Sequence, residues 1–308
     1  MDVLSDVLTA MRTGRPHAAR RRSQAPWGVR FSTAEAAGCH VVLRGTCWLT
    51  VAGSAPIALS PGDVVLVPQQ CTYALTDRPG TPTVDFDLSE RDVGQNDDVD
   101  LGDDGTVTET LCAAYFLDRG RTHPLLLELP PVIHLPAIAG AHTSLRQAVD
   151  LLGAELAGAR HGADVIVPAL IDALLLLIIR EWLENNTADR LWATALNDPT
   201  ILAALRTIHG RPEAAWTVES LAQSCGLSRA TFASKFKNLV GMPPLTYLTW
   251  WRMTLAAREL RTTDAPVAAI ARRAGYTSDF AFTKAFKREF GVSPQGYRLQ
   301  RRGNPSRR

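Results

Sequence analysis

Long hydrophobic runs are scarce in this chain, and that scarcity removes one class of protein at once. The most apolar stretch, residues 169–183, is broken by Asp172, Arg180 and Glu181 and is too short to cross a bilayer. It reads as a buried helix. The opening Met1-Asp2-Val3-Leu4 lacks the basic-then-apolar order of a secretion signal, so a cytoplasmic chain with no membrane partner is expected. Cysteine is sparse and odd in number, namely Cys39, Cys47, Cys71, Cys112 and Cys225, with no C-x-x-C pair. That pattern points away from a disulfide framework or a zinc ribbon and toward reduced thiols. A glycine-rich phosphate loop and a nucleophile motif are both missing.

What is present is unevenly distributed. The 308 residues are 46% apolar, enough for about two cored domains. Net charge is only +2, but residues 1–194 hold 15 basic against 24 acidic side chains and residues 195–308 hold 18 against 7. An acidic front and a basic rear suggest a polyanionic partner for the rear alone.

Residues 3–11 space Val3, Leu4, Val7, Leu8 and Met11 as one helical face, and Arg20-Arg21-Arg22 then reads as a solvated loop. From 27 to 90 short β-branched runs alternate with turn residues, as in Cys47-Trp48-Leu49-Thr50-Val51, Pro61-Gly62-Asp63 and Val64-Val65-Leu66-Val67. These predict a sandwich or small barrel. Residues 91–105, rich in Asp and Gly without calcium-loop spacing, predict a mobile acidic loop, and 106–117 a strand pair. From 143 the period turns helical, with Leu145, Val149, Leu152 and Leu156 on one stripe and a second helix over 166–183. Two helices with wide apolar faces must cover them, and a second copy of the chain is one candidate cover.

The strongest signal is a repeat. Ala222-x-x-x-Gly226 recurs 49 residues later as Ala271-x-x-x-Gly275. Each copy closes on the same coda, Gly241, Pro244 and Tyr247, then Gly291, Pro294 and Tyr297. The alanine suits a close helix crossing, and the glycine suits a left-handed helix end. Ser228 and Ser278 are N-caps for the next helix, whose Phe232 and Phe236, or Phe282 and Phe286, are four apart and share a core face. The opposite face stays polar and basic, as a helix entering a major groove requires. Asp198-Pro199 predicts the start of a preceding helix, and residues 245–261 a helix joining the two motifs. Cys225 is expected in the motif core.

Residues 198–298 resemble the DNA-binding domain of the AraC/XylS family, most specifically in Ala271, Gly275-Tyr276, Phe282, Phe286-Lys287-Arg288-Glu289-Phe290-Gly291-Val292-Ser293-Pro294 and Tyr297-Arg298. The front resembles the cupin-type sensor domains of some members, through Gly45-Thr46-Cys47-Trp48-Leu49, Pro61-Gly62-Asp63 with Val64-Val65-Leu66-Val67-Pro68, and His123-Pro124 to Ile133-His134-Leu135. The resemblance implies two domains. One is an N-terminal cupin-like β-barrel or sandwich (1–140) with a helical linker that is a candidate dimerisation region (141–194). The other is a C-terminal all-α domain with two helix-turn-helix motifs (195–308). It implies an activator of transcription, with double-stranded DNA, RNA polymerase, a small-molecule effector and a second copy as partners, and with no cofactor.

A cupin-fold metal enzyme fused to a nucleic-acid-binding domain is the alternative. A metal cupin needs His-x-His plus a carboxylate on one strand and a later His. Here His40 stands alone before Val41 and Val42, Gln70 replaces the second glycine of the later motif, and Tyr73 replaces its histidine. The front therefore reads as a barrel without metal and without catalytic residues. Candidate effector contacts are His40, Arg44, Trp48 and Tyr73, and Cys39, Cys47, Cys71 and Cys112 offer a rival thiol switch. For DNA, the first recognition helix, 228–237, offers small groove-side residues, Ala230, Ala233 and Ser234, flanked by Arg229, Lys235 and Lys237 for phosphates. The second, 278–288, offers Asp279, Phe280, Thr283 and Lys284 to base edges, with Ser278 and Lys287 beside them. Asp279 at a helix start equally suits plain dipole stabilisation.

Overall fold

The computed structural model describes residues 2–32, 36–68, 71–86, 105–118, 122–138, 143–158, 161–186 and 191–302. The acidic segment up to 104 and Gln70 lie outside the described residues. In chain order the elements are helix α1 (Val3–Met11), then strands β1 (His17–Gln24), β2 (Gly28–Ser32), β3 (Ala36–Arg44), β4 (Cys47–Val51), β5 (Ile57–Leu59), β6 (Val64–Val67), β7 (Thr72–Thr76), β8 (Val84–Asp85) and β9 (Val107–Phe116). One helical turn, α2 (Pro124–Leu127), precedes β10 (Ile133–Leu135). Helices α3 (Thr143–Leu156), α4 (Ala163–Asn185), α5 (Leu191–Asn197), α6 (Pro199–Gly210), α7 (Val218–Ser224) and α8 (Arg229–Val240) follow. The chain ends with α9 (Pro244–Thr262), α10 (Val267–Arg273), α11 (Asp279–Phe290) and α12 (Pro294–Arg302).

Two compact units result. One holds residues 14–119 and 129–185, the other 1–13, 120–128 and 186–308. The first is built on two five-stranded sheets, ordered β1-β9-β3-β6-β10 and β5-β4-β7-β2-β8. Alternation decides what lies between them. Val42, Leu49, Val51, Val65, Val67, Tyr73 and Leu75 form one buried cluster with Trp27, Val29 and Phe31. On α3, Leu145, Val149, Leu152 and Leu156 are buried as their spacing predicts. Helix α3 packs on α4, and both pack on β1.

Three expectations change. The arginine run 20–22 lies in β1, antiparallel to β9, where Arg20 Nη2 meets Glu109 Oε2 at 2.6 Å and Arg21 is buried. Loop-like composition is overridden there by a partner strand with a facing carboxylate. Residues 107–116 make one long strand rather than a pair. The compact units also cross the boundaries at 140 and 194. Helix α1 buries its apolar face against α6 and α9, while α3 and α4, read as linker, belong to the strand-built unit.

The helical unit is threaded by a buried polar chain. His123 Nδ1 accepts the Leu125 N–H at 3.1 Å, so its proton sits on Nε2 and is donated to the Tyr247 oxygen at 3.1 Å. The Tyr247 hydroxyl then donates to His209 Nε2 at 2.7 Å, and His209 Nδ1–H points at Asp6 Oδ2, 3.3 Å away. Trp251 stacks on His209 with ring centres 3.9 Å apart. Burial holds both imidazoles below the ordinary value of 6.5, well below for His123, where the neighbouring His209 adds to the effect. For His209, Asp6 opposes the shift.

A depressed histidine is neutral when folded and takes a proton when unfolded below pH 6.5. Its contribution is therefore present above that value and lost as pH falls, by up to about 1.4 kcal/mol per pH unit for each ring. Lowering pH from 7.5 to 5.5 should lower the amide protection factors of α6 and α9, and His123→Phe should flatten that dependence. Exchange that tracks the intrinsic rate in the unmodified chain would contradict it.

Candidate nucleic-acid interface and sensor cavity

Both copies of the repeat fold into the same turn. The Leu227 N–H bonds the Ala222 carbonyl, and the Tyr276 N–H bonds the Ala271 carbonyl. Gly226 and Gly275 supply the left-handed residue, at φ +67° and +76°. A Cβ on Gly275 would stand 2.6 Å from the Glu213 carbonyl oxygen, so that position is closed to side chains as well. Ser228 accepts the Thr231 N–H and Ser278 the Ala281 N–H. Asp198 caps α6 from Thr200 and Ile201. Phe232 and Phe236 pack under the first motif, and Phe282 and Phe286 under the second with Tyr297. Cys225, expected inside, is the half-buried C-cap of α7 instead.

With those faces buried, the remainder of α8 and α11 is outward. Arg229, Ala230, Ser234 and Lys237 are exposed, and Ala233 is half-buried. Lys235 is half-buried and paired within the fold. Its Nζ lies 2.7 Å from Asp198 Oδ2, which ties α8 to the cap of α6. On α11, Ser278, Asp279, Lys284 and Lys287 are exposed and Thr283 is half-buried. Phe280 is 79% exposed.

In the strand-built unit, the structure brings His40 and Tyr73 together and leaves Arg44 and Trp48 apart from them. His40 Nε2 lies 2.6 Å from the Tyr73 hydroxyl, and Nδ1 lies 3.1 Å from Cys112 Sγ. Gly38 leaves room for that hydroxyl, which a Cβ would strike. Both ring nitrogens are thus occupied, and burial lowers His40 to about 3. About 60 Å³ remains between the sheets there, against Phe31, Phe86 and Ala114. Trp48 alternates with the buried Cys47 and Leu49, so it faces the other side of β4, and Arg44 is exposed at the end of β3. Strand parity accounts for Trp48, while Arg44 stands beyond the register shift after Val42 that interrupts the end of β3.

Burial pushes Cys39 and Cys47 up to about 12 and raises Cys112, so these thiols stay neutral, the less reactive form. Cys71 is half-buried. Among the described residues no group of three or more His, Cys, Asp or Glu side chains is placed to hold one ion. His134, without ligand spacing in the sequence, bonds Asp63 at 3.0 Å. Asp63 also accepts the Ala137 and Ser60 amides, locking the 60–63 turn to β10. A larger cavity of about 390 Å³ lies beside that turn, between the outer face of β3 and β6 and helix α3. Val41, Val64, Leu135, Leu145 and Val149 line it, with Arg146 and Asp150 at its rim. Sequence reading missed this cavity, because it lies on the outer sheet face and needs the helix packing to exist.

No described helix is long and apolar enough to cross a membrane. Residues 2–184 match the Cupin family and residues 221–300 match a helix-turn-helix domain family. An AraC-like transcription regulator of Streptomyces lividans is 36% identical over 97% of this chain and 98% of its own length. The regulator AlkR of Acinetobacter baylyi is 30% identical over 97% and 100%. The RCS-specific transcriptional activator RclR of Escherichia coli is 32% identical over 84% and 83%. With its cupin front, its paired helix-turn-helix rear and relatives of that kind along nearly its whole length, this chain belongs to the AraC-like family of DNA-binding transcription regulators.

Proposed function

We propose that the protein activates transcription in response to a small molecule sensed by its cupin domain, reading promoter DNA with α8 and α11 as a homodimer and acting without catalysis. The observation that carries the DNA reading is the pair of capped helices whose aromatic faces are buried and whose remaining faces are polar and exposed. Activation is supported by the Escherichia coli relative, whose name describes an activator, and it makes RNA polymerase the expected partner. Sensing is supported by the 390 Å³ cavity, which falls in the size range of small-molecule sites. The space beside His40 and Tyr73 is too small for such an effector. The solvent-side face of α4 supports self-association. Val165 and Ile166 are exposed, Leu170, Ala173 and Leu177 continue the stripe half-exposed, and such an uncharged surface is its own complement.

On DNA the two recognition helices should enter successive major grooves on one face, about 34 Å apart. Lys284 donates to guanine and Phe280 meets a thymine methyl, while Arg229 holds phosphate. Lys284→Ala should relax preference at one base position and cost about 1–3 kcal/mol on the best site. Arg229→Ala should weaken all sequences alike and reduce the salt slope by roughly one. Titrations on a randomised-site library at several salt concentrations check both, and an unchanged preferred sequence in Lys284→Ala would remove its base-reading role.

Ile166→Glu with Leu170→Glu should convert the dimer to monomer in light scattering at micromolar concentration. A monomeric unmodified chain, free and on DNA, would refute the dimer. Elemental analysis of the purified chain should find far less than one iron, zinc or manganese per chain, and a retained stoichiometric metal would revive the enzyme alternative.

A further inference from the structure

The chain passes between its two compact units at four points rather than one. The most unusual excursion is 120–128. Before it, β9 pairs with both β1 and β3. After it, β10 pairs with β6. Between these two ladders of one sheet, the chain contributes a short segment to the helical unit. Both ends of that segment are thus held by the unit that carries the cavity.

Its described part, residues 122–128, is built for docking. His123 caps its own helical turn by accepting the Leu125 N–H, which leaves Nε2–H for Tyr247. The imidazole is fully buried, edge-on to Trp192 at 4.7 Å, Trp250 at 5.1 Å and Tyr247 at 5.9 Å. Leu125 and Leu126 are buried beside it. Glu128 Oε2 accepts the Trp192 N–H at 3.0 Å, so the same segment holds the first turn of α5. Helix α5 in turn packs on α8, the recognition helix of the first motif.

Comparison of the two repeat copies shows that this docking belongs to one of them. Tyr247 and Tyr297 are the same coda position. The Tyr297 hydroxyl accepts from Arg261 Nη1 at 2.8 Å, inside its own motif. The Tyr247 hydroxyl serves His123 and His209 instead. Three and four residues on, the first copy has Trp250-Trp251 and the second has Gln300-Arg301. The aromatic seat for the segment exists only on the first copy.

We propose that residues 122–128 are a coupling strap that links the sheet of β9 and β10 to the first helix-turn-helix alone, with His123 seated on Tyr247 as its latch. The strap fixes the placement of α5, and through it α8, while α11 answers only to the DNA. Regulation then acts by positioning one reading head against another that is constant. This rests on the reading of α8 and α11 as the two DNA-contacting helices, but its first test needs neither DNA nor effector.

The test is amide hydrogen exchange on the full chain, with Tyr247→Phe as the conservative variant and Tyr297→Phe as its counterpart. Tyr247→Phe keeps the ring and strips both imidazoles of their shared hydroxyl. Amides of 122–128, α5 and α8 should exchange about tenfold faster, while those of α10 and α11 stay unchanged. Tyr297→Phe should leave the strap amides as they were. Equal acceleration of both motifs, or a strap unaffected by Tyr247→Phe, would overturn the proposal. The second arm uses linkage, since coupling is reciprocal. Saturating promoter DNA should slow exchange in the strap and in β10 of the unmodified chain. In Tyr247→Phe, still DNA-bound, the slowing at β10 should vanish, and its persistence would overturn the proposal. Failure to bind DNA at all would instead fault the base-reading assignment and leave the first arm standing.

Discussion

A hydroxyl and two imidazoles in the middle of an aromatic core must all find partners, because an unpaired polar group there costs on the order of 1–3 kcal/mol, and the half-buried Asp6 carboxylate ends their chain. Asp6, His209, Tyr247 and His123 meet that requirement only as a set. Each bond direction is dictated by the next, beginning with the Leu125 amide that fixes the His123 tautomer. The constraint is global because the four residues come from α1, α6, α9 and the segment before α2. Residues from three distant parts of the sequence therefore share one packed centre, and none of them can leave without orphaning another. The helical unit is consequently more than its two repeats. It includes chain that sequence order would assign to the cupin domain.

The repeats show how one skeleton takes two roles. Turn glycines, serine caps, paired phenylalanines and coda tyrosines are the same in both. Those features answer to backbone geometry and core packing, which a helix-turn-helix cannot change without unfolding. What differs lies outside that skeleton. The first copy spends Lys235 on Asp198, its tyrosine on two histidines, and carries two tryptophans on α9. The second leaves Lys284 and Lys287 exposed on α11 and presents Phe280 to solvent. An outward face with a bare aromatic is suited to meeting a partner. One whose lysine is already paired is suited to being positioned.

The same division explains what could be read in advance. Local rules carried the repeat: helix spacing, caps and glycine ends placed α6 through α11 within a few residues. Short β-branched runs broken by turn residues carried the strand-built nature of the front. The failures share one cause, which is a partner distant in sequence. Arg20-Arg21-Arg22 looks like loop until β9 supplies a ladder and Glu109. Lys235 shows no partner within the fold until Asp198, 37 residues earlier, is beside it. His123 has no spacing signature because its partners Trp192, Tyr247 and Trp250 are helical residues far along the chain. The coda tyrosine was visible as a repeated letter, but a repeat cannot say which copy's hydroxyl is used elsewhere.

The strand-built unit applies the same polar bookkeeping to a different end. A barrel that offers one histidine and no companion ligands still has a polar ring to satisfy inside an apolar core. Tyr73 supplies the hydroxyl on one nitrogen and Cys112 the sulfur near the other, with Gly38 clearing the space. The ring is held neutral and closed off. The larger open volume lies on the outer sheet face, where α3 leaves a gap lined by Val41 and Val64. That gap is bounded by the 60–63 turn, which Asp63 ties to β10 through His134 and the Ala137 amide. Strand β10 is also where the chain returns from the His123 strap. Strand β10 therefore both borders the gap, through Leu135, and receives the chain from that segment.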